Sequence, residues 1–324
     1  MKSLFVLISL SMLINVYPQT FDSSEEAVRK DIITGFGFCY GQKLGLERVK
    51  NEIPELKMTA LQLEYKFQSI FGKSCDFFST LLPDQTRQAL IQKIKNEIPT
   101  FELTPKLAKE FLERVQNRGN GKVESPFIET LLTWHPDFRD NPDLEFTRGF
   151  TKRYSTLNHV KAKGQHLELN VPISWKAREG NRPNIVQFFR SKNGFSNISF
   201  SVMVRDATPP KGVKITQKEI DSIFSTRGLR EFVEGEGTLI EAKPITLEGI
   251  KGGFWIIDAS AERLDQKVSF RMAQYGLFHK NRLIMLQFIA GGDAESRQDW
   301  LKEFEKNRKL FQLIANSLVL MDNY

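Results

Sequence analysis

The chain has 324 residues, of which 40% are hydrophobic and 26 are phenylalanine, and its formal net charge is +7. This composition excludes a globally disordered chain, and the length is enough for two ordinary domains. Lysine and arginine are dispersed, which excludes the concentrated basic stripe of a nucleic-acid-binding protein; it indicates a solvated basic surface, with attraction to anionic envelope polymers or lipids as the alternative.

The segment from Met1 to about Thr20 predicts a cleavable signal peptide. Lys2 is followed by an apolar stretch of about eleven residues, within the length of a signal-peptide core and below the roughly 20 residues of a membrane span. Asn15 and Pro18 end that stretch. An uncleaved N-terminal anchor is the alternative. We therefore expect an exported protein, periplasmic or extracellular, without stable membrane insertion.

Residues 21–135 carry apolar side chains at helical spacing. Pro54 ends the first predicted helix, and Gly72 is the expected C-cap of the second. Thr104 and Ser125 are each followed by proline, which is the N-cap and N1 pattern that begins two further helices. The pattern predicts a helical domain over 21–135.

The chain has two cysteines, Cys39 and Cys75. An even pair in an oxidising compartment favours a disulfide over two free thiols, which are the alternative. If the chain turns back near Pro54, the helical arms to the two cysteines are ~22 and ~31 Å long at about 1.5 Å per residue, a mismatch that an irregular turn absorbs. Neither cysteine lies in a C-x-x-C motif, so redox catalysis is not indicated.

Residues 136–165 show no periodicity and are rich in proline, aspartate and asparagine, so we predict a linker there, with residues 150–154 as a candidate short strand. Asp137, Asp140 and Asp143 offer oxygen ligands that suit Ca²⁺, which makes them a weak metal candidate. Their spacing is not that of an EF-hand loop, and aspartate beside proline is an ordinary turn former. We therefore assign turn formation to these residues and expect no metal ion or cofactor.

From His166 onward the hydrophobic period changes to two, which is typical of strands. The segment beginning at Thr216 has the pattern of a capping box and predicts a helix. Residues 279–282 predict a hairpin turn, and Asp293 is the expected cap of a last helix. We predict an α+β domain over 166–324, with a largely antiparallel sheet on which helices pack.

Three short motifs in this domain resemble an uncharacterised family of exported bacterial proteins. They are Pro172-Ile173-Ser174-Trp175, Arg182-Pro183-Asn184-Ile185-Val186-Gln187 and Gly249-Ile250-Lys251-Gly252-Gly253-Phe254-Trp255. The strand that leads into Pro-x-x-Trp also resembles the Mog1/PsbP-like fold, over about residues 150–322. Members of that fold are mostly accessory or binding proteins without a catalytic centre, so the resemblance lowers the expectation of an enzyme and brings no catalytic motif.

The residues themselves give little sign of catalysis. The nucleophile elbow G-x-S-x-G is missing from the sequence, and the four histidines have no metal-binding spacing. A ligand pocket with one cation for an anionic ligand is a further candidate, and packing in the core is the alternative for its aromatic residues. The candidate residues are Trp175, Arg182, Phe188, Trp255 and Tyr275.

We therefore predict an exported, non-catalytic binding or accessory protein of the cell envelope or secretome. Its α+β domain would bind a partner or ligand, an envelope protein or an anionic molecule, while the helical domain braces or recruits. The alternative is an envelope hydrolase whose site is assembled from scattered residues. A secreted effector is a third class that the sequence leaves open.

Overall fold

The computed structural model describes residues 25–97, 102–121, 126–191, 196–207, 216–263, 266–293 and 295–324. The predicted signal peptide over residues 1–20 lies outside the described residues. The chain divides into two compact units. The first, which we call the helical unit, reaches Thr151 and includes Pro172–Ser174; the second, the sheet unit, comprises Lys152–Val171 and Trp175–Tyr324.

The helical unit is built from helices that enclose one aromatic core. The helices are α1 (Glu25–Glu52), α2 (Lys57–Leu81), α3 (Asp84–Glu97), α4 (Pro105–Gly119), α5 (Pro126–Thr133), α6 (Pro136–Asp140) and α7 (Asp143–Thr147). Phe67, Phe71 and Phe78 of α2 are buried in that core. The predicted cap at Thr104 is present, because its side chain accepts a hydrogen bond from the Leu107 amide. Among the described residues, no helix is long and apolar enough to cross a membrane.

Two predictions for this part of the chain need correction. Gly72 does not end the second helix, since α2 continues to Leu81. An interior glycine costs a helix about 1 kcal/mol, and the burial of aromatic residues on both sides of Gly72 outweighs that cost. Residues 136–165, predicted as a linker, contain the helices α6 and α7, and the candidate strand near 150–154 is present as the first strand. The reason is packing, because Phe138 and Phe150 are buried in the helical core.

The sheet unit is an antiparallel α+β domain, as predicted. Its elements are β1 (Thr151–Ser155), β2 (Leu167–Pro172), β3 (Lys176–Glu179), β4 (Ile185–Arg190), β5 (Ile198–Asp206), α8 (Gln217–Ile223), α9 (Thr226–Phe232), β6 (Thr238–Leu247), β7 (Ile250–Arg263), β8 (Gln266–His279), β9 (Arg282–Gly292), α10 (Arg297–Asn316) and β10 (Val319–Leu320). Within the described residues, a small sheet has the order β1-β2-β10 and a large sheet the order β3-β4-β5-β9-β8-β7-β6.

Local signals in the sequence set several boundaries of this unit. Lys280 and Asn281 link β8 to β9 with φ values of 46° and 59°, the left-handed backbone of a two-residue type I′ hairpin. Thr216 and Glu219 form the predicted capping box of α8. Asp293 accepts a hydrogen bond of 2.7 Å from the Ser296 amide, so it stabilises the turn before α10 rather than serving as its N-cap.

Both faces of the large sheet are covered. On one, the α8–α9 face, buried side chains of β7–β9 pack against α8 and α9, with Phe224 and Leu229 at the contact. On the other, the α10 face, Phe288 of β9 stacks on Phe311 of α10 with ring centroids 4.7 Å apart. Apolar residues on both sides of one strand explain why β9 reads as a near-continuous hydrophobic run.

Candidate functional site

The residues predicted to form a ligand pocket lie on both faces of the large sheet. Trp255 is paired with Gln274, and Tyr275 is the next residue along β8. Because successive side chains of a strand point to opposite faces, Trp255 and Tyr275 are separated by the sheet. Trp255 meets Phe232 on the α8–α9 face, and Tyr275 meets Phe288 on the α10 face.

The other three predicted residues also have separate environments. Trp175 is 3% exposed and packs on Phe200, so it belongs to the core. The ring centroid of Phe188 lies 5.9 Å from the guanidinium carbon of Arg178 on the neighbouring strand. Arg182 lies in the connection between β3 and β4 and is partly exposed. Of the five predicted residues, Tyr275 lines a cleft that the described residues form. The other residues of that cleft are not among the five predicted ones.

That cleft, which we call the Tyr275 cleft, has a volume of about 450 Å³ and lies between strands β6–β8 and helix α10. Its walls include Lys243, Phe254, Tyr275, Arg308, Lys309 and Asn316. Phe254 and Tyr275 form an aromatic wall, with ring centroids 4.8 Å apart. Burial raises the pKa of Tyr275, so the phenol remains protonated and can donate a hydrogen bond at neutral pH.

Three cations line the Tyr275 cleft, and the carboxylate of Glu241 is paired with two of them. Glu241 accepts a hydrogen bond of 2.9 Å from Lys243 and one of 2.6 Å from Arg308. Burial alone would raise the pKa of Glu241, but these two ion pairs hold it below its usual value. Lys243 also lies 5.0 Å from the ring centroid of Phe254, within cation–π range. The cleft therefore presents three cationic side chains beside its aromatic wall, two of them bonded to Glu241.

A chain of ion pairs begins at Arg308 and runs along α10 and the neighbouring strands. Arg308 bonds Glu305, which accepts a hydrogen bond of 2.9 Å from Arg271. Two nitrogens of Arg271 donate hydrogen bonds to the Asp258 carboxylate, at 2.7 and 3.0 Å. Arg297 donates to the same carboxylate at 3.2 Å. Asp258 is thus held by two guanidinium groups.

Asp258 and Arg297 lie on the wall of a second cleft, of about 530 Å³, which we call the Glu236 cleft. Its walls also include Ser260, Ser269, Phe270 and Trp300. Glu236, in the turn between α9 and β6, is 3% exposed, and neither of its carboxyl oxygens has a hydrogen-bond partner among the described residues. Burial, opposed by the positive charge of Arg205, raises the pKa of Glu236 to about 8.

Sequence reasoning missed Glu236 and the cations of the Tyr275 cleft. In the sequence, Glu236 is marked only by the glycines on either side of it, Gly235 and Gly237. Such a pattern is typical of an ordinary turn. A Cβ at Gly237 would lie 2.4 Å from the Asp258 carbonyl oxygen, so a glycine is needed for β6 to begin there. The signal for the cations was weaker, since Lys243 and Arg308 are 65 positions apart in the sequence.

The side chains of serine and histidine do not form a hydrolase triad in the described residues. Ser155 Oγ lies 3.2 Å from His166 Nε2, and Glu168 approaches that same nitrogen at 3.6 Å. A triad needs the carboxylate on the other ring nitrogen, so that it orients the imidazole as a base. The remaining histidines contact a carbonyl oxygen, a main-chain amide or a side-chain amide; they are His135, His159 and His279.

The three aspartates considered as a weak metal candidate occupy the short helices α6 and α7. Asp137 is in the first turn of α6 and forms an ion pair of 2.8 Å with Lys73. Asp140 is the last residue of α6, and Asp143 begins α7. Carboxylates near a helix N-terminus interact favourably with its dipole, which is a structural use for two of them. Within the described residues, no group of three such side chains could hold a metal ion.

The two cysteines form the predicted disulfide. Cys39 in α1 and Cys75 in α2 are bonded, with Cα atoms 5.7 Å apart. Pro54 begins the short turn between the two helices, as the prediction required. Cys75 lies within α2 rather than past its end, because the helix continues beyond Gly72.

Comparisons with known proteins show no family for this chain. No protein-family model matches the sequence, and no functionally curated protein is similar to it. Several solved structures are similar to part of the chain, and three of them are described here. PsbP (CyanoP) from Synechocystis sp. PCC 6803 is 15% identical, with 52% of this chain and 92% of that chain covered and a TM-score of 0.30. LpqN, involved in cell envelope biogenesis of Mycobacterium tuberculosis, is 9% identical, with 53% and 92% covered and a TM-score of 0.31.

The third, PA94 from Pseudomonas aeruginosa, a protein of unknown function, is 12% identical, with 48% of this chain and 94% of that chain covered and a TM-score of 0.20. Identities and TM-scores this low carry no conclusion about activity, ligand or compartment.

Proposed function

We propose that the chain is an exported, non-catalytic binding or accessory protein of the envelope or secretome, and that its sheet unit holds an anionic ligand in the Tyr275 cleft. The observation that carries this proposal is the aromatic wall of Phe254 and Tyr275 beneath three cations. An anion gains from nearby cationic side chains that it can share with their present partners, and an aromatic wall offers apolar contact to the rest of the ligand.

The ion pairs already present in the cleft do not prevent this use. The side chain of Lys243 is 56% exposed and that of Arg308 is 40% exposed. Ion pairs at such exposure contribute on the order of 0–1 kcal/mol, so an anionic ligand can share or recruit these cations at little cost. The protonated hydroxyl of Tyr275 supplies a further donor.

Export is supported by the predicted signal peptide and by the disulfide between Cys39 and Cys75. Disulfides persist in secreted and periplasmic proteins and are rare in the reducing cytosol. A non-catalytic role is supported by the histidines, whose contacts leave no nucleophile and base in catalytic register among the described residues. LpqN is involved in cell envelope biogenesis, which is a role of the proposed kind.

Isothermal titration with phenyl phosphate tests the anion site, and benzyl alcohol serves as the neutral probe of similar shape. We expect phenyl phosphate to bind and benzyl alcohol not to bind. In the double variant Lys243→Gln/Lys309→Gln, affinity for phenyl phosphate should fall at least tenfold.

Lys302→Gln is the matched control, because Lys302 is an exposed lysine of α10 outside the cleft. It should leave the affinity unchanged. Equal binding of the two probes, or equal loss in the control, would overturn the proposal. Release of phenol from phenyl phosphate would replace it with the hydrolase alternative.

A further inference from the structure

The helical unit has a cleft of its own, which we call the Ile32 cleft. Its volume is about 450 Å³, and it lies between the first part of α1, the end of α2 and the start of α3. Its walls include Val28, Arg29, Ile32, Ile33, Leu81 and Leu82. A volume of this size, with a mostly apolar wall and few polar groups, is typical of a small-molecule site.

The apolar side chains of this cleft are only partly covered by the protein. Leu81, at the end of α2, is 43% exposed. Ile32 and Ile33 of α1 pack against the core of the helical unit, but neither is fully buried. Removing apolar surface from water is favourable, so an apolar ligand gains free energy by filling the cleft.

Two contacts fix the spacing of α1 and α2 beside the cleft. The disulfide between Cys39 and Cys75 joins the two helices about two helical turns from the cleft, at 3.6 residues per turn. Between the disulfide and the cleft, Gly35 of α1 packs so closely on the ring of Phe78 of α2 that a Cβ at Gly35 would clash with that ring. The walls are therefore held in place before a ligand arrives, which lowers the entropic cost of binding.

Arg29 places a positive charge at the rim of the cleft. Among the described residues that line the cleft, Arg29 is the charged one, and it is exposed. Asp84, which follows the wall residue Pro83, forms an ion pair with Arg87. A guanidinium group can bind a carboxylate through two parallel hydrogen bonds. The cleft therefore matches a ligand with an apolar body and a carboxylate at one end.

We infer that the Ile32 cleft is a second ligand site, distinct from the Tyr275 cleft, and that it binds a free fatty acid with a chain of medium length. The alkyl chain covers Leu81 and the two isoleucines, while the carboxylate stays at the rim beside Arg29, where water still hydrates it. The α1 wall spans about six residues, roughly 8 Å at 1.5 Å per residue, which suits a short alkyl chain and is too short to seat a partner helix.

Calorimetric titration of the mature protein with butyrate, hexanoate and octanoate tests the apolar part of the site. Each added methylene should tighten binding about fourfold, because burying it is favourable. In nuclear magnetic resonance spectra, octanoate should shift the amide signals of Ile32 and Leu82. Equal affinity for butyrate and octanoate, or no binding of octanoate, would overturn the proposal.

A matched pair of leucines on α2 locates the ligand. Leu81→Ser should weaken octanoate binding about fivefold, because the side chain loses its apolar contact with the alkyl chain. Leu61 is 39% exposed on the same helix and outside the cleft, so Leu61→Ser should bind octanoate like the parent chain. Both leucines are exposed, so both variants should fold. Equal affinity in the two variants would overturn the location.

The carboxylate is tested by comparing octanoate with 1-octanol, its neutral counterpart. Exposed ion pairs are weak, so Arg29→Gln should lower the preference for octanoate over 1-octanol by up to about fivefold. Lys30→Gln is the matched control, because Lys30 is an exposed cation of α1 outside the cleft. An unchanged preference in Arg29→Gln, or an equal reduction in the control, would overturn the role of the carboxylate.

Two further measurements separate this site from other anion binding. Phosphatidylglycerol vesicles should not sediment the protein, and binding to vesicles without binding to octanoate would replace the free fatty acid with a lipid surface. The variant Lys243→Gln/Lys309→Gln should keep its affinity for octanoate. A loss there would place octanoate in the Tyr275 cleft and overturn the second site, whereas failure of phenyl phosphate to bind would leave the Ile32 cleft unaffected.

Discussion

The helical unit and the sheet unit treat buried polar groups differently. In the helical unit, the buried carboxylate of Glu145 accepts hydrogen bonds from the amide and the hydroxyl of Ser174, at 2.9 and 2.7 Å. In the sheet unit, Gln274 and Gln287 lie buried in the centre of the large sheet, and Glu236 is buried beside an open cleft. Buried polar groups are expensive, and they concentrate where a protein binds or reacts. The comparison therefore separates a buried carboxylate that its neighbours stabilise, Glu145, from a buried carboxyl group without a hydrogen-bond partner among the described residues, Glu236.

The largest effect should come from removing an aromatic side chain of the sheet unit. Trp255 is fully buried and meets Phe232 edge to face at 5.4 Å. Trp255→Ala should lower the free energy of unfolding by about 3–5 kcal/mol, measured by urea denaturation. Trp255→Phe should cost much less, because the indole N–H has no hydrogen-bond partner among the described residues. A loss below about 1 kcal/mol for alanine would contradict the core assignment.

In the helical unit, the matching experiment removes the cross-link. Cys39 and Cys75 are 36 positions apart, and the chain-entropy model gives a bridge of that span about 4 kcal/mol of stability. The double variant Cys39→Ser/Cys75→Ser should lose about that amount, with increased hydrogen exchange in α1 and α2. Mass spectrometry of the unreduced, alkylated parent chain is the control, and two added alkyl groups would show free thiols instead.

In the sheet unit, the free energy of unfolding should depend on pH through Glu236. Burial raises the pKa of Glu236 from 4.5 to about 8, so the folded state binds a proton that the unfolded state has released. The favourable contribution of protonated Glu236 to the free energy of unfolding is therefore fully present below pH 4.5. It is lost as the pH rises through 8. Glu236→Gln should match the parent chain at pH 4 and exceed its stability by several kcal/mol at pH 9. Parallel stability curves from pH 4 to 9 would argue against this burial.

His135 should give the smallest effect, with the opposite pH direction. The ring stacks on Phe138 and its Nε2 lies 2.9 Å from the Ile70 carbonyl oxygen. Burial lowers the pKa of His135 below 6.5, although the Ile70 carbonyl and Asp137 act against it. As the pH falls below 6.5, the unfolded state takes up the proton first, so stability should decrease by at most about 1.4 kcal/mol per pH unit. His135→Phe should flatten that slope, and an unchanged slope would assign it to another group.

Features of the fold that depend on a few neighbouring residues were predictable from the sequence. The hairpin at Lys280 and Asn281 needs two residues that tolerate positive φ, and the capping box at Thr216 needs only the residue three positions on. The disulfide followed from the number of cysteines and the turn near Pro54. The hairpin and the capping box depend on neighbouring residues, and the disulfide prediction depends mainly on the number of cysteines. Contacts with distant parts of the chain therefore do not alter these predictions.

The features that sequence reasoning missed depend on contacts between distant segments. Gly72 ends a helix by local preference, but the core contacts of α2 keep that helix intact. Tyr275 and Trp255 are both aromatic residues on strands, and only the register shows that they point to different faces. Glu236 is distinguished by what surrounds it rather than by its residue type. A pocket is a property of packing, which is why its residues could not be selected from the sequence.

The order of strands in the large sheet has a consequence for the order of folding. Strands β6, β7, β8 and β9 follow one another along the chain and are also neighbours in the sheet. Their contacts span short stretches of chain, and such contacts form faster than distant ones. The pairing of β5 with β9 closes a much longer loop, which includes α8, α9 and three strands. We therefore expect the amides of β7 and β8 that bond to each other to gain protection in pulsed hydrogen exchange before the amides of β5 and β9 that bond across this longer loop.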